Sequence, residues 1–464
     1  MRVTYLFIQK NTIIEIIYQL PENMKHKIIL SLFAILFLQK SYSQSVAGPI
    51  TITQAVQLGL SNSKQLKLDS MKFNQTQVKQ SQIKDAALPN VFVNAGYTRL
   101  SNITPLSFSF PGNPEPITMM PNIPNTFSAS IGLREGIFNG WKLKYTEESY
   151  NYLTKATQLD IDKDQSEVRL NIMSAYVSFV KLKLSQQIVD QEIVALKKLV
   201  DEIKSQRDRG IVTDNDVMKA QLHESNVELA KSDVDNSIAI AQFNLCILLG
   251  LKQGTIIETD TTGLFAAVQL AAESVYESDA FANRNEKKSL DLRVQASQAN
   301  VKIAQSVFYP TVSLGADYLD ARPNQRIFPL VDEFNNTWDV GVTVSWNLTS
   351  LYTGRHSVED ARQQVSQMQV QSSMLDDNLK MEIFKNYSFC QTTINKIPMI
   401  ALSVKQAEEN YRMTKARYDE QAALMSEVLD ADAALLQARV NLVLQGADAQ
   451  LSFYKLQQSA GDLK

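Results

Sequence analysis

An internal repeat constrains this chain more than any other feature. Residues 417–431, RYDEQAALMSEVLDA, sit between two long glycine-poor runs and read as the tip of a helical hairpin. A shift of 211 residues leads back to residues 206–220, QRDRGIVTDNDVMKA, in the same setting, with Val217 against Val428 and Ala220 against Ala431. The same shift pairs Tyr176 with Tyr387 and Gly250 with Gly461, so one register reaches the ends of both halves. A unit of about 200 residues is far longer than a solenoid repeat. The pattern therefore predicts duplication of a domain-sized unit, with residues 44–270 as the first copy and 271–464 as the second.

Composition removes several function classes. At 464 residues, 44% hydrophobic and 20% charged, the chain is apolar enough to fold, and a net charge of −3 argues against a nucleic-acid partner. Cys246 and Cys390 are not paired by the repeat, since Cys246 shifts onto Gln457, and they read as small buried residues rather than a disulfide. His26, His223 and His356 are scattered without metal-ligand spacing, and the carboxylates are spread as on solvated helices. With no phosphate-cradling loop, nucleophile elbow or zinc-protease motif, no cofactor, metal or enzymatic activity is expected.

The N-terminal region has the parts of a secretory signal. Met24, Lys25, His26 and Lys27 precede an apolar run at 28–38, followed by Ser41 and Ser43. That run is too short to span a bilayer as a helix, and the alternative is a buried N-terminal helix. Residues 24–43 are read as the signal peptide and residues 1–23 as an upstream extension from a misassigned start. No cysteine follows the cleavage site, so no lipid anchor is expected.

Each repeat then runs in the same order. A proline-free stretch, 52–87 or 274–309, predicts a helix that stops at Pro89 or Pro310. Beyond each proline the hydrophobic period changes from 3.6 to 2. Val91, Val93, Ala95 and Tyr97 alternate with small or polar residues, as do Val312, Leu314, Ala316 and Tyr318. After a proline-rich, helix-free loop at 101–125, Phe127, Ala129, Ile131 and Leu133 alternate with Ser128, Ser130, Gly132 and Arg134. The second copy answers with Trp338, Val340, Val342, Val344 and Trp346 after a shorter loop. Strands are expected at about 90–100, 126–136, 311–320 and 337–347.

Strands of this length, apolar on one face and aromatic toward their ends, suit an outer-membrane barrel, although a small soluble sheet could share the alternation. Four strands cannot close a membrane barrel alone, because open edges are forbidden in lipid. Long helices are expected at 141–209 and 355–416, with returning helices at 216–249 and 427–459. The first carries a seam of Leu182, Val189, Ile193, Leu196, Val200 and Ile203. The second carries a weaker one, Ile400, Val404, Ala407, Tyr411 and Thr414, with a kink expected at Pro398.

The signal peptide, the duplicated helix-strand-strand-hairpin order and the tip sequence together resemble the TolC-type outer-membrane efflux proteins. In that family the tip reads approximately R-Y-x-x-G, then V-L-D-A seven residues past the glycine. Here Arg417, Tyr418, Val428, Leu429, Asp430 and Ala431 match and Gln421 replaces the glycine, whereas the first copy keeps Gly210 and Val217 but has Met218 and Lys219. The resemblance implies a mainly α fold with a membrane β-barrel part: a homotrimer whose twelve strands, four per protomer, close in outer-membrane lipid above a long helical barrel in the periplasm of a Gram-negative bacterium. It also implies a passive exit duct for exported solutes, served by a periplasmic adaptor and, through it, an inner-membrane transporter. A soluble helical scaffold is the alternative.

On this resemblance Gly210, Ile211, Val212, Ala422, Ala423 and Leu424 would meet the adaptor. Lipid would face Val91, Val93, Tyr97, Phe127, Ile131, Leu133, Val312, Leu314, Tyr318, Trp338, Val340, Val342 and Val344. Glu427 and Asp430, three apart on one helical face, match positions that form acidic rings at the family's periplasmic constriction. Charges placed there only to suit a helix N-terminus are the simpler explanation. Drug, metal ion or polypeptide remains open as the cargo. N-terminal sequencing of membrane-fraction protein should give a mature start near Gln44; retention of residues 28–38 would contradict the signal-peptide reading.

Overall fold

The computed structural model describes residues 48–463 except 103, 113, 114 and 262–267. The proposed extension, signal peptide and cleavage site lie outside the described residues. Every element below belongs to one compact unit that begins at Thr51. It is mostly helical, with a small antiparallel sheet.

The helix expected at 52–87 is two helices, α1 (Ile52–Asn62) and α2 (Lys64–Asp85). The break falls at Ser63, whose extended backbone turns the chain while its hydroxyl accepts from Leu66 N to cap α2. Its counterpart is also divided, into α5 (Glu273–Asn283) and α6 (Asn285–Gln305), at Arg284 with nearly the same backbone angles. Both breaks dock on the end of a returning helix. Asn62 Nδ2 donates to Leu249 O at 2.8 Å, and Arg284 Nη1 donates to Ser459 O at 3.2 Å. These bonds satisfy carbonyls that a helix C-terminus leaves without partners.

Four strands form the main sheet: β1 (Asn90–Arg99), β4 (Asn125–Asn139), β5 (Thr311–Arg322) and β6 (Asn335–Ser345), in the order β1-β4-β5-β6 and all antiparallel. The proline-rich loop, expected to be helix-free, holds a second, two-stranded sheet, β2 (Leu106–Phe108) with β3 (Ile117–Met120). Three- and four-residue strands are too short to establish an alternation. In β4 the register shifts between Gly136 and Phe138, so Ile137 is an inserted residue, beyond which pairing resumes with Phe138 opposite Val312 and Asn139 opposite Thr311.

Two hairpins complete the unit: α3 (Lys142–Asp208) with α4 (Asp214–Leu249), and α7 (Ser350–Asp419) with α8 (Met425–Ser459). At 67 and 70 residues, α3 and α7 extend about 100 Å at 1.5 Å per residue. α7 continues unbroken through Pro398. One core joins the lower ends of both hairpins, with Val189, Ile193, Leu196, Val200 and Ile203 of α3 against Val217 and Ala220 of α4 and Met425 and Val428 of α8. The weaker α7 seam is only half-buried at Ile400, Val404, Ala407, Tyr411 and Thr414. Cys246 and Cys390 are buried and unbonded to each other.

The two tips turn identically although their sequences differ. Gly210 has φ +74°, and Gln421, which stands where the family motif has glycine, has φ +60°. In both, the next residue donates back to a helix carbonyl, Ile211 N to Gln206 O and Ala422 N to Arg417 O. A side chain in this left-handed region costs about 1–2 kcal/mol, partly offset by the greater backbone entropy that glycine loses on folding. Gln421→Gly should therefore be neutral or stabilising by up to about 1 kcal/mol, while Gly210→Ala destabilises by about 1–2 kcal/mol. Denaturant midpoints in the opposite order would contradict this account of the tips.

Candidate functional site at the sheet and the hairpin tips

Strand register decides which side chains share a face. Val91, Leu133, Ala316 and Val340 form one cross-strand row, and Val93, Ile131, Tyr318 and Trp338 form the next. Leu314 pairs with Val342 and Val312 with Val344 on the same face, and Tyr97 pairs with Phe127 toward the other end. Most of these side chains are exposed in the single chain, Trp338 and Val93 at 74% and 72%; Leu133, Val312 and Leu314 are half-buried. Glu135, half-buried opposite Leu314, interrupts the apolar face, as Asp320 and Arg322 do toward one end.

Aromatic groups gather at both ends of that face. Tyr97, Phe127 and Phe334 lie ring to ring, with centroids 5.0 and 6.1 Å apart. At the opposite end Trp141 meets Phe138 and Tyr309 edge-on at 4.9 and 5.0 Å, and Trp346 Nε1 donates to Phe308 O.

The other face is polar. Phe92, Gly132, Asp317 and Asp339 form a row in which a Cβ at Gly132 would collide with Phe92 and Asp317. Arg134 pairs with Asp317 and Arg326 with Asp339, both at 2.6 Å. Among the described residues β1 pairs only with β4 and β6 only with β5, so the sheet presents two unpaired edges.

At the tips, Gly210, Ile211, Ala422 and Leu424 are exposed, whereas Val212 and Ala423 are half-buried and Val212 packs on the shared core. The helices leaving the two tips start differently. Thr213 caps α4 in a reciprocal box in which Asp216 accepts from Thr213 N at 3.1 Å and from Thr213 Oγ1 at 2.7 Å. The equivalent cap of α8 is Leu424, which has no side-chain oxygen to offer. Glu427, the counterpart of Asp216, is therefore exposed in the first turn without a cap to bind, and Asp430 is exposed one turn on.

The structure also assembles charges that looked solvated in sequence. Glu192 of α3 and Asp432 of α8 are buried, with His223 of α4 beside them, and no three described His, Cys, Asp or Glu residues could hold a metal ion. Their positions on three separate helices leave no local pattern; the apolar residues around Asp432 in 425–436 are the available hint. No described helix is long and apolar enough to cross a membrane.

The family model described as outer membrane efflux protein matches residues 277–462. Outer membrane protein TolC of Vibrio cholerae is 22% identical over 394 residues, covering 82% of this chain and 83% of that protein. Among solved structures, the CmeC outer membrane channel of Campylobacter jejuni superposes with a TM-score of 0.72 at 16% identity, over 89% of this chain and 86% of that one. The outer membrane protein VceC of Vibrio cholerae gives 0.72 at 18% identity, over 88% and 96%. CusC, described as forming a transmembrane channel, gives 0.76 at 16% identity, over 88% and 92%. Residues 277–462 thus carry the outer membrane efflux protein pattern, the chain has the fold of these channels, and its resemblance to the TolC-type efflux proteins stands on both.

Proposed function

We propose that this chain is one protomer of a homotrimeric channel in a Gram-negative outer membrane, a passive exit duct for exported solutes with no chemistry of its own. The observation that carries the reading is the four-stranded sheet, which has one apolar face and two unpaired edges. In lipid an unpaired edge leaves backbone groups without partners, so the edges must close on further copies of the chain. β5 has 12 residues, about 40 Å of strand, which at a 45° tilt rises about 28 Å and suits an apolar band of about 25 Å. A soluble scaffold would leave both the edges and the apolar face unexplained.

The helices support lateral association as well. Met218, Leu222, Leu229, Ile240 and Ile247 make an exposed stripe on α4 at spacings of 4, 7, 11 and 7, and Val370, Met374, Met381 and Phe384 make another on α7. Such stripes are the seams of helices that pack side by side, here against neighbouring protomers. The exposed tip residues Ile211, Ala422 and Leu424, with Gly210, Val212 and Ala423, would contact a periplasmic adaptor that links the duct to an inner-membrane transporter. The two halves, with breaks at Ser63 and Arg284 and tips at Gly210 and Gln421, behave as copies of one duplicated unit.

Glu427 and Asp430 would line the periplasmic entrance. Three copies of two carboxylates around an axis would concentrate negative potential in a narrow opening and attract cations. The first hairpin cannot contribute a matching ring, because Asp216 is occupied in its capping box and Lys219 stands in place of Asp430.

Two experiments test this reading. Val342→Arg should cost about 2–4 kcal/mol if Val342 faces the lipid midplane, and should reduce the yield of outer-membrane trimer. Normal trimer yield would remove this strand from the lipid boundary. The double variant Glu427→Gln, Asp430→Asn should lower cation selectivity and weaken block by multivalent cations in planar-bilayer recordings, with trimer yield unchanged. Unaltered selectivity and block would reduce both residues to helix-end charges.

A further inference from the structure

Where the two hairpins meet above the tips, four helices bring together a buried polar cluster that the duct itself does not require. Asp432 of α8 is 4% exposed and Glu192 of α3 is 7% exposed. His223 Nε2 of α4 and Asp432 Oδ2 share a hydrogen bond across 3.0 Å. Glu192 lies close enough to Asp432 to feel its charge, and two carboxyl groups buried together are at ease only while one of them holds a proton. Tyr411 of α7 closes the fourth side, half-buried against the same core. The nearby cation, Arg439 of α8, reaches Glu408 of α7 at 3.0 Å, and Glu202 of α3 and Asp419 of α7 add negative charge around Tyr411.

Each of the two contacts to Asp432 crosses from one hairpin to the other. We propose that Glu192, Asp432 and His223 form a proton latch that ties the first hairpin to α8 and loosens it when Glu192 gives its proton to water. Burial above all, then the adjacent Asp432 charge and the hydrogen bond to it, push the Glu192 carboxyl up to about 7, while Arg439 and His223 oppose the shift. Tyr411 is pushed up to about 12 by burial and by the same carboxylates, so it stays neutral through this range.

The sign follows from linkage. The folded state holds the Glu192 proton over a range in which the unfolded chain has lost it, so the latch is closed in acid and its stabilisation declines as pH rises through about 7. Above that point two carboxylates lie side by side away from water, and separation of α3 from α8 relieves them. Glu427 and Asp430 occupy the first turns of α8, so release of Asp432 frees the residues assigned to the entrance. That consequence rests on the duct reading; the latch itself does not.

Hydrogen–deuterium exchange on the full chain in detergent tests the latch without a functioning channel. After correction for intrinsic exchange, amides around Glu192 and Asp432 should lose protection between pH 5.5 and 7.5, by at most about tenfold per pH unit for a single proton. Glu192→Gln keeps a hydrogen-bond donor toward Asp432 but cannot ionise, and should flatten the profile. Asp432→Asn removes the neighbouring charge but not the burial of Glu192, and should move the loss of protection to lower pH, which keeps the test decisive if Glu192→Gln folds poorly. A flat wild-type profile, a pH dependence that survives in folded Glu192→Gln, or an unmoved profile in folded Asp432→Asn overturns the latch. In planar bilayers, wild-type conductance should rise with pH over the same interval and Glu192→Gln conductance should not. Absence of any conductance would count against the duct, while the exchange data would still decide the latch.

Discussion

The unpaired sheet edge is the constraint on which the rest of the molecule depends. A backbone N–H or C=O without a partner in hydrocarbon costs several kcal/mol, so a sheet that enters lipid must close. Four strands with edges at β1 and β6 cannot close on themselves, so closure in lipid would make the neighbouring chain part of the fold. In the proposed trimer lateral association would extend downward, with the exposed stripes on α4 and α7 as seams between copies. That arrangement would account together for the many large apolar side chains exposed in the single chain.

The junction between strands and helices has to change period without exposing backbone. Pro310 separates the end of α6 and its short 3-10 turn from β5, and Trp141 in a left-handed conformation starts α3 after β4. Trp141, Tyr309 and Phe138 surround this junction, with Trp346 bonded to the Phe308 carbonyl close by. Aromatic rings with one apolar and one polar end suit the depth at which lipid tails give way to water. The same residues that organise the turn would therefore set the height of the protein in the membrane.

Much of this was legible because it depends on local period. Alternation at 91–97 and 338–346 specifies a strand face, and the register then aligned Val91, Leu133, Ala316 and Val340 in one row. The absence of glycine and proline from 142 to 208 predicts an unbroken helix. Features set by distant partners were not legible. The breaks at Ser63 and Arg284 depend on docking against Leu249 and Ser459, and the proximity of Glu192 to Asp432 depends on how two hairpins pack. Gln421 lies between: its departure from the family glycine was visible, but only the backbone shows that the left-handed turn is kept.

Thiol labelling along β6 in intact outer membranes tests the central claim most directly, and the burial of Cys246 and Cys390 keeps the background low. Cysteines placed singly at Val340, Val342 and Val344 should resist a membrane-impermeant reagent, while those at Asp339, Gly341 and Thr343 should react through the water-filled interior. Such an alternating pattern is what a strand with one lipid face and one channel face predicts. Uniform reaction at all six positions would mean that the sheet stands in water on both sides, and the channel account would be wrong.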